Sequence, residues 1–220
     1  GVLGVFGSVW KMRLKKGYQL TGTTHHKVLV MGEDGIPNWK ELSQLSKEDF
    51  VAIRRSAGIF GTNHLQDKMA YFLGLYIAEG NIDGRRVTIT NADEQIYSFI
   101  EEMGFRHSNS KSNKYQWRKG SVVFIKELER LGVVATATAC YKTVPHAILS
   151  ADKPTVRAFL QGLFDGDGCA QKTGKVTYST SSLKLAEQVQ MLLLNFGVTA
   201  GLHKKPLDKL SPRPKHTQHT

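Results

Sequence analysis

Two nine-residue segments, FLGLYIAEG at Phe72–Gly80 and LQGLFDGDG at Leu160–Gly168, each run apolar residues into an acid followed by glycine. Small residues stand at i and i+4 in both, Gly74 with Ala78 and Gly162 with Gly166, so each pair shares one helical face. A glycine inside a helix costs about 1 kcal/mol against alanine. Its recurrence at matched places predicts two backbones in close approach, ridge into groove. The acids, Glu79 and Asp167, then fall in the last turn of their helices, at the negative end of the dipole, where carboxylates are disfavoured. Two such carboxylates brought together call for a cation, so the pattern predicts a metal site made between two helices. A divalent metal held there can polarise a water and neutralise negative charge on a substrate. Mg²⁺, with Mn²⁺ as its substitute, prefers oxygen ligands and takes one or two protein carboxylates, which Glu79 and Asp167 can supply.

Other metal readings fail on spacing. Asp165-Gly166-Asp167-Gly168 does not continue as a calcium loop, because Cys169 and Val176 stand where oxygen ligands belong. The eight histidines and two cysteines show no paired zinc spacing, and His216–His219 reads as tail.

The elements that must position the acids form an internal repeat from about Asp67. After the first motif, Arg86–Thr90 alternates as a half-buried strand and Ala92–Met103 reads as a helix ending at Gly104. After the second, Lys175–Ser179 is the matching strand and Leu183–Asn195 the matching helix, ending at Gly197. The first copy continues with a strand at Lys114–Arg118, a turn at Lys119-Gly120, a return strand at Val122–Phe124 and a helix to Leu131. The second copy meets Pro206, Pro212 and Pro214 with no return strand in view, so it reads as incomplete. Ahead of the repeats, Val5–Leu14 and Tyr18–Thr21 read as strands about a turn at Lys15–Gly17. Gly32–Pro37 reads as a turn, Trp39–Leu45 as a helical turn and Phe50–Ile53 as a strand. The division expected is a β-rich segment over 1–66, a first repeat with its linker over 67–150 and a second repeat over 151–220.

A chain of 220 residues can bury a real core. No apolar run approaches the roughly 20 residues of a membrane span, and the N-terminus does not read as a signal peptide. The net charge of +11 points to a polyanion. Two cysteines announce no disulfide framework, and the expectation is an intracellular, cytoplasmic protein.

The two motif segments resemble the LAGLIDADG motif of homing endonucleases, with Glu79 and Asp167 at the eighth position and Ile77 and Asp165 at the sixth. The resemblance implies an α+β fold of two pseudo-symmetric αββαββα-type repeats, whose antiparallel sheets form a saddle over double-stranded DNA. It implies a monomer making a Mg²⁺-dependent double-strand cut at one long site, with Glu79 and Asp167 as catalytic, metal-binding acids beside Gly80 and Gly168. Tyr141-Lys142-Thr143-Val144-Pro145 is similar to the lysine–x–hydrophobic–proline block of intein endonucleases, which makes Lys142 the catalytic lysine of the first half. No second-half lysine is identified.

The outward faces of the repeat strands are then the DNA contacts. They comprise Arg85, Arg86, Thr88, Thr90, Gln116, Arg118 and Lys119 in the first half. In the second they are Lys172, Lys175, Thr177, Ser179, His203, Lys204 and Lys205. Ser108–Lys114 reads as a basic loop that orders on DNA. GTTHHKVLV resembles an intein block, with Thr23 and His26 as its threonine and histidine. Beginning at Gly1 and ending in HTQHT, the chain as written is not expected to splice. Two other readings stand beside the nuclease: a non-cleaving, maturase-like DNA- or RNA-binding relative of the same fold, and self-processing by the intein-like segment.

Overall fold

The structure, a computed structural model, describes residues 9–108, 114–135 and 137–205. Most of the loop Ser108–Lys114, the prolines beyond Lys205 and His216–His219 lie outside the described residues. The fold is α+β, and its strand pairings are antiparallel apart from one isolated parallel bridge, Asn63 to Ala151. No helix among the described residues is long and apolar enough to cross a membrane.

The chain divides into two compact units, one built from the residues up to Ile53 with those from Ala200 on, the other from Arg54–Thr199. In the first, β1 (Val9–Arg13) pairs with β2 (Gln19–Thr23), and β3 (Lys27–Met31) is flanked by β4 (Pro37–Glu41) and β5 (Phe50–Val51). Val28, Val30 and Leu42 form its small core. The helical turn expected at Trp39–Leu45 is instead the end of β4 followed by a single 3-10 turn at Leu42–Gln44. Pairing of Pro37–Glu41 along the whole of β3 takes precedence over the helical spacing of Trp39 and Leu42. Ala200 and Leu202 return to this unit, the Leu202 amide donating to the Lys16 carbonyl at 3.0 Å.

The second unit contains both motifs. Residues 54–66 belong to it by packing: Gly61 N–H donates to Ala151 O at 2.8 Å, and Phe60 stacks edge-on against Phe196. The helix α1 (Asp67–Glu79) leads into β6 (Gly80–Asp83) and β7 (Arg86–Thr90), then α2 (Tyr97–Glu102), β8 (Arg106–His107), β9 (Gln116–Gly120) and α3 (Val122–Leu131). Strand order in this sheet is β6-β7-β9-β8. The short α4 (His146–Leu149) precedes α5 (Lys153–Asp167), which leads into the hairpin of β10 (Gly168–Ala170) and β11 (Val176–Tyr178) and then α6 (Leu183–Asn195).

The return strand expected at Val122–Phe124 is helix. Ser121 caps it by accepting the Phe124 amide at 3.2 Å, and Ile125, Leu128 and Leu131 bury one face, so a local cap and 3.6-residue spacing override a β-branched pair. Phe72, Leu73, Leu75, Ile89, Ile100, Leu128, Phe159, Leu163 and Leu185 form the core around α1 and α5. Asp152 caps α5 by accepting from Thr155 N–H at 3.0 Å, with Pro154 in the first turn, where its missing donor costs nothing.

Candidate functional site

α1 and α5 cross where their glycines fall. A Cβ on Gly74 would run into the Phe159 carbonyl and lie 2.6 Å from Leu163 N, and one on Gly162 would run into the Tyr71 carbonyl. The expected close approach is therefore present: each glycine accommodates the other helix's backbone. One turn further on, a Gly166 Cβ would come within 2.5 Å of Ala78 Cβ and 3.4 Å of Glu79 Cγ. The small residues carry the seam down to the acids.

Glu79 and Asp167 are the last residues of their helices. Each is followed by a glycine in extended conformation, so these glycines are not there for a left-handed cap. A side chain on Gly80 would stand 2.6 Å from Tyr76 O, and one on Gly168 would strike the Phe164 carbonyl. Closure of the last turn, Gly80 N–H to Tyr76 O and Gly168 N–H to Phe164 O, demands that clearance.

The electrostatics bind the acids and one lysine into a single cluster. Burial pushes the Glu79 carboxyl up to about 7, the Asp167 charge adds to the rise, and Lys142 opposes it. Asp167 is raised by burial, with Lys142 pulling it down. Burial lowers Lys142, and Asp167 and Glu79 offset part of that. The Lys142 ammonium donates to Ile77 O at 2.9 Å and Gly80 O at 2.8 Å, with Tyr76 O at 3.4 Å and Ala78 O at 3.5 Å. It thus caps the C-terminal carbonyls of α1, where a positive charge complements the dipole.

Asp165 is drawn elsewhere. The Tyr71 hydroxyl donates to its Oδ2 at 2.7 Å, and Tyr71 is pushed well up by burial and by that bond. Tyr178 was not foreseen as part of the site. Paired with Gly168 across the β10–β11 hairpin, its ring packs on Phe164 and its buried hydroxyl has no side-chain hydrogen bond of good geometry. Burial pushes that hydroxyl up to about 12, with the Asp167 charge contributing. The alternation Val176-Thr177-Tyr178 was the available signal.

Among the described residues no group of three or more His, Cys, Asp or Glu gathers in one place. The donors at the helix ends are two carboxylates, an all-oxygen set suited to Mg²⁺ and poor for zinc. Mutual repulsion that helps raise Glu79 to about 7 is what a divalent cation would relieve, so the residues present fit such an ion. The Gly80 carbonyl is engaged by Lys142, and Gly168 opens β10.

The sheet separates the predicted contact residues by face. Cross-strand register sets Thr88 between Asn81 and Arg118, with Arg106 beyond Arg118. Arg86, Thr90 and Gln116 share that polar face by alternation, and Arg85 sits in the β6–β7 turn. Thr88 is itself buried within the row. Lys119 is a correction. It pairs with Val87 on the core side, donates to Met103 O at 2.6 Å and lies 4.0 Å from the centre of the Phe124 ring. Period-two alternation with Arg118 outward obliges Lys119 to point inward. Asn81 and Arg106 were missed, because their place depends on strand pairing, Asn81 with Thr88 and Arg106 with Arg118.

In the second hairpin, Thr177 pairs with Cys169, Ser179 follows it on the same face, and Lys172 and Lys175 are exposed at the turn. His203, Lys204 and Lys205 belong to the other compact unit, where Leu202 N–H donates to Lys16 O. In that unit Thr23 and His26 flank the β2–β3 turn, His26 N–H donating to Thr23 O at 3.1 Å.

Comparison with known proteins finds a family model that matches within the second half of the chain. Residues 154–219 match the model of the LAGLIDADG-like domain. The chain is 30% identical over 208 residues to the A subunit of DNA gyrase from Mycobacterium gordonae, covering 86% of this chain and 38% of that protein. It is 29% identical to the small subunit of replication factor C from Methanocaldococcus jannaschii, over 89% of this chain and 11% of the relative. It is 26% identical to the alpha subunit of the NrdEB ribonucleoside-diphosphate reductase of Bacillus subtilis, over 86% and 20%. The chain spans less than half the length of each of these relatives. The second motif, with Asp167, therefore lies within the stretch that matches the LAGLIDADG-like domain model.

Proposed function

We propose that this chain is a site-specific DNA endonuclease that hydrolyses one phosphodiester bond in each strand of a long duplex target. The observation that carries the reading is the meeting of two acid-terminated helices across a glycine seam, with their carboxylates in one electrostatic cluster. Glu79 and Asp167 would hold Mg²⁺, with Mn²⁺ able to replace it. When bound, the ion supplies charge neutralisation at the phosphate and a polarised water. Lys142 contributes a fixed positive charge at the end of α1, beside both acids. Close packing of α1 and α5 keeps the acids from separating under their own repulsion.

The polar sheet face supplies the DNA contacts. Arg85, Arg86, Arg106 and Arg118 would neutralise phosphates or reach guanine edges, and Thr90, Gln116 and Asn81 would offer donors and acceptors in the groove. Lys172, Lys175, Thr177 and Ser179 would do the same on the second hairpin. The arrangement is read as two LAGLIDADG-type repeats, αββαββα in the first and incomplete in the second, acting as one monomer in the cytoplasm.

One stretch similar to parts of a DNA gyrase, a replication factor and a ribonucleoside-diphosphate reductase is what an inserted element would leave in unrelated hosts. That supports an intein-associated homing enzyme, with Thr23 and His26 as remnants of the intein-like block.

The test is incubation with a randomised duplex library in Mg²⁺ and in EDTA, followed by sequencing of cut ends. One enriched long site, cut only with Mg²⁺, is expected. Failure to nick the best-bound duplex in Mg²⁺ or Mn²⁺ makes the protein a non-cleaving, maturase-like binder.

A further inference from the structure

We propose that Ser182 and Gln188 of α6 are positioning residues for Glu79, acting through Lys142; the catalytic arm of this inference rests on the nuclease reading above. Because α1 ends with an extended glycine, Tyr76 O accepts Gly80 N–H but the carbonyls that follow it in the last turn lack intrahelical partners. The Lys142 ammonium supplies them. Its three protons face four carbonyl oxygens, of Tyr76, Ile77, Ala78 and Gly80, which bracket Glu79 in the chain.

A lysine stem has four rotatable carbons and loses much freedom when its head is held in one place. The cap therefore depends on what fixes the backbone at residue 142. Two side chains of one helix do so. Ser182, only 1% exposed, donates its hydroxyl proton to Lys142 O at 2.7 Å while its oxygen accepts Leu185 N–H at 3.1 Å as the N-cap of α6. Gln188 Oε1 accepts Val144 N–H at 3.0 Å. The two bonds grip the linker on either side of Thr143.

α6 follows the second motif, whereas Glu79 ends the first. The placement of the first acid is thereby set by a helix of the other half, through hydrogen bonds spanning about forty residues. Both helix ends close through their glycine, Gly80 N–H to Tyr76 O and Gly168 N–H to Phe164 O, but among the described residues no ammonium donates to the last carbonyls of α5 as Lys142 does to those of α1. Loss of the clamp should loosen one acid and leave the other in place.

The experiment uses the whole chain with S182A, Q188A and S182T. S182A removes both the cap and the donor to Lys142, Q188A leaves the cap intact, and S182T retains a hydroxyl for both bonds. Amide hydrogen exchange at Gly80 should quicken about tenfold in S182A and Q188A, with Gly168 unchanged within about twofold and S182T near wild type. A parallel rise at Gly80 and Gly168, or no change at either, overturns the inference.

On the selected duplex, S182A and Q188A should accumulate nicked product, with the same strand left uncut as in Glu79→Gln. Equal loss on both strands overturns the catalytic arm. A wild-type protein that cuts nothing refutes the nuclease reading, while the exchange measurement still decides the clamp.

Discussion

Gly74 and Gly162 face each other across the α1–α5 seam. Gly74 lies against Phe159 O and Leu163 N, while Gly162 lies against Tyr71 O and, more loosely, Leu75 N. The atoms in the way are backbone, which has no rotamer to change. Alanine at either position should cost about 1–3 kcal/mol, at the upper end because two helices must separate. Urea denaturation of G74A and G162A checks this. The variants should also lose cutting activity out of proportion to their stability, since the acids sit one turn beyond the contact.

Stability should depend on pH through Glu79. Its carboxyl is pushed up to about 7 in the fold from an ordinary 4.5. A raised acid favours the folded state fully below the lower value, and that contribution is lost as pH rises through about 7. Without metal, Glu79→Gln should be more stable than wild type at pH 8 by on the order of 1 kcal/mol after allowance for solvent screening of a half-buried group. Near pH 4.5 the two should match. Thermal melts in EDTA across this range are the measurement, and added Mg²⁺ should narrow the gap at pH 8 by stabilising only the wild type.

Arg118 and Lys119 are neighbours with opposite fates. R118A should weaken duplex binding and lower the salt slope by about 1. K119A should leave the slope unchanged and cost about 1 kcal/mol of stability, because its bond to Met103 O and its position over Phe124 are lost. Binding isotherms at several salt concentrations separate the two.

Tyr178 should matter to Asp167 alone. Tyr178→Phe removes a buried hydroxyl that has no side-chain partner of good geometry, so stability should hold within about 0.5 kcal/mol. Because the hydroxyl lies in the field of the Asp167 charge, nicking should become strand-biased in the sense opposite to that of S182A.

The motif helices were legible because their signals are local: glycine at i and i+4, then acid and glycine. α6 was legible from Leu183 to Asn195 as the helix that repeats the one after the first motif, ending at Gly197. Val122-Val123-Phe124 was ambiguous by periodicity, and a single side-chain cap at Ser121 decided it. The inward turn of Lys119 and the outward place of Arg106 depend on which strands pair, which no window of sequence contains. The clamp on Lys142 is harder still to foresee, since Ser182 and Gln188 reach the linker from about forty residues away. Asp165 resembles its neighbour Asp167 in sequence, and only the Tyr71 hydroxyl from the other helix separates their roles.

The central claim is that Glu79 and Asp167 act jointly on bound DNA. Its most direct measurement is cleavage of the selected duplex in Mg²⁺ by wild type, Glu79→Gln and Asp167→Asn, with binding followed in parallel. Each variant should bind within about threefold of wild type and lose double-strand cutting by about 10³-fold or more. Cutting at the wild-type rate by either variant would contradict the account.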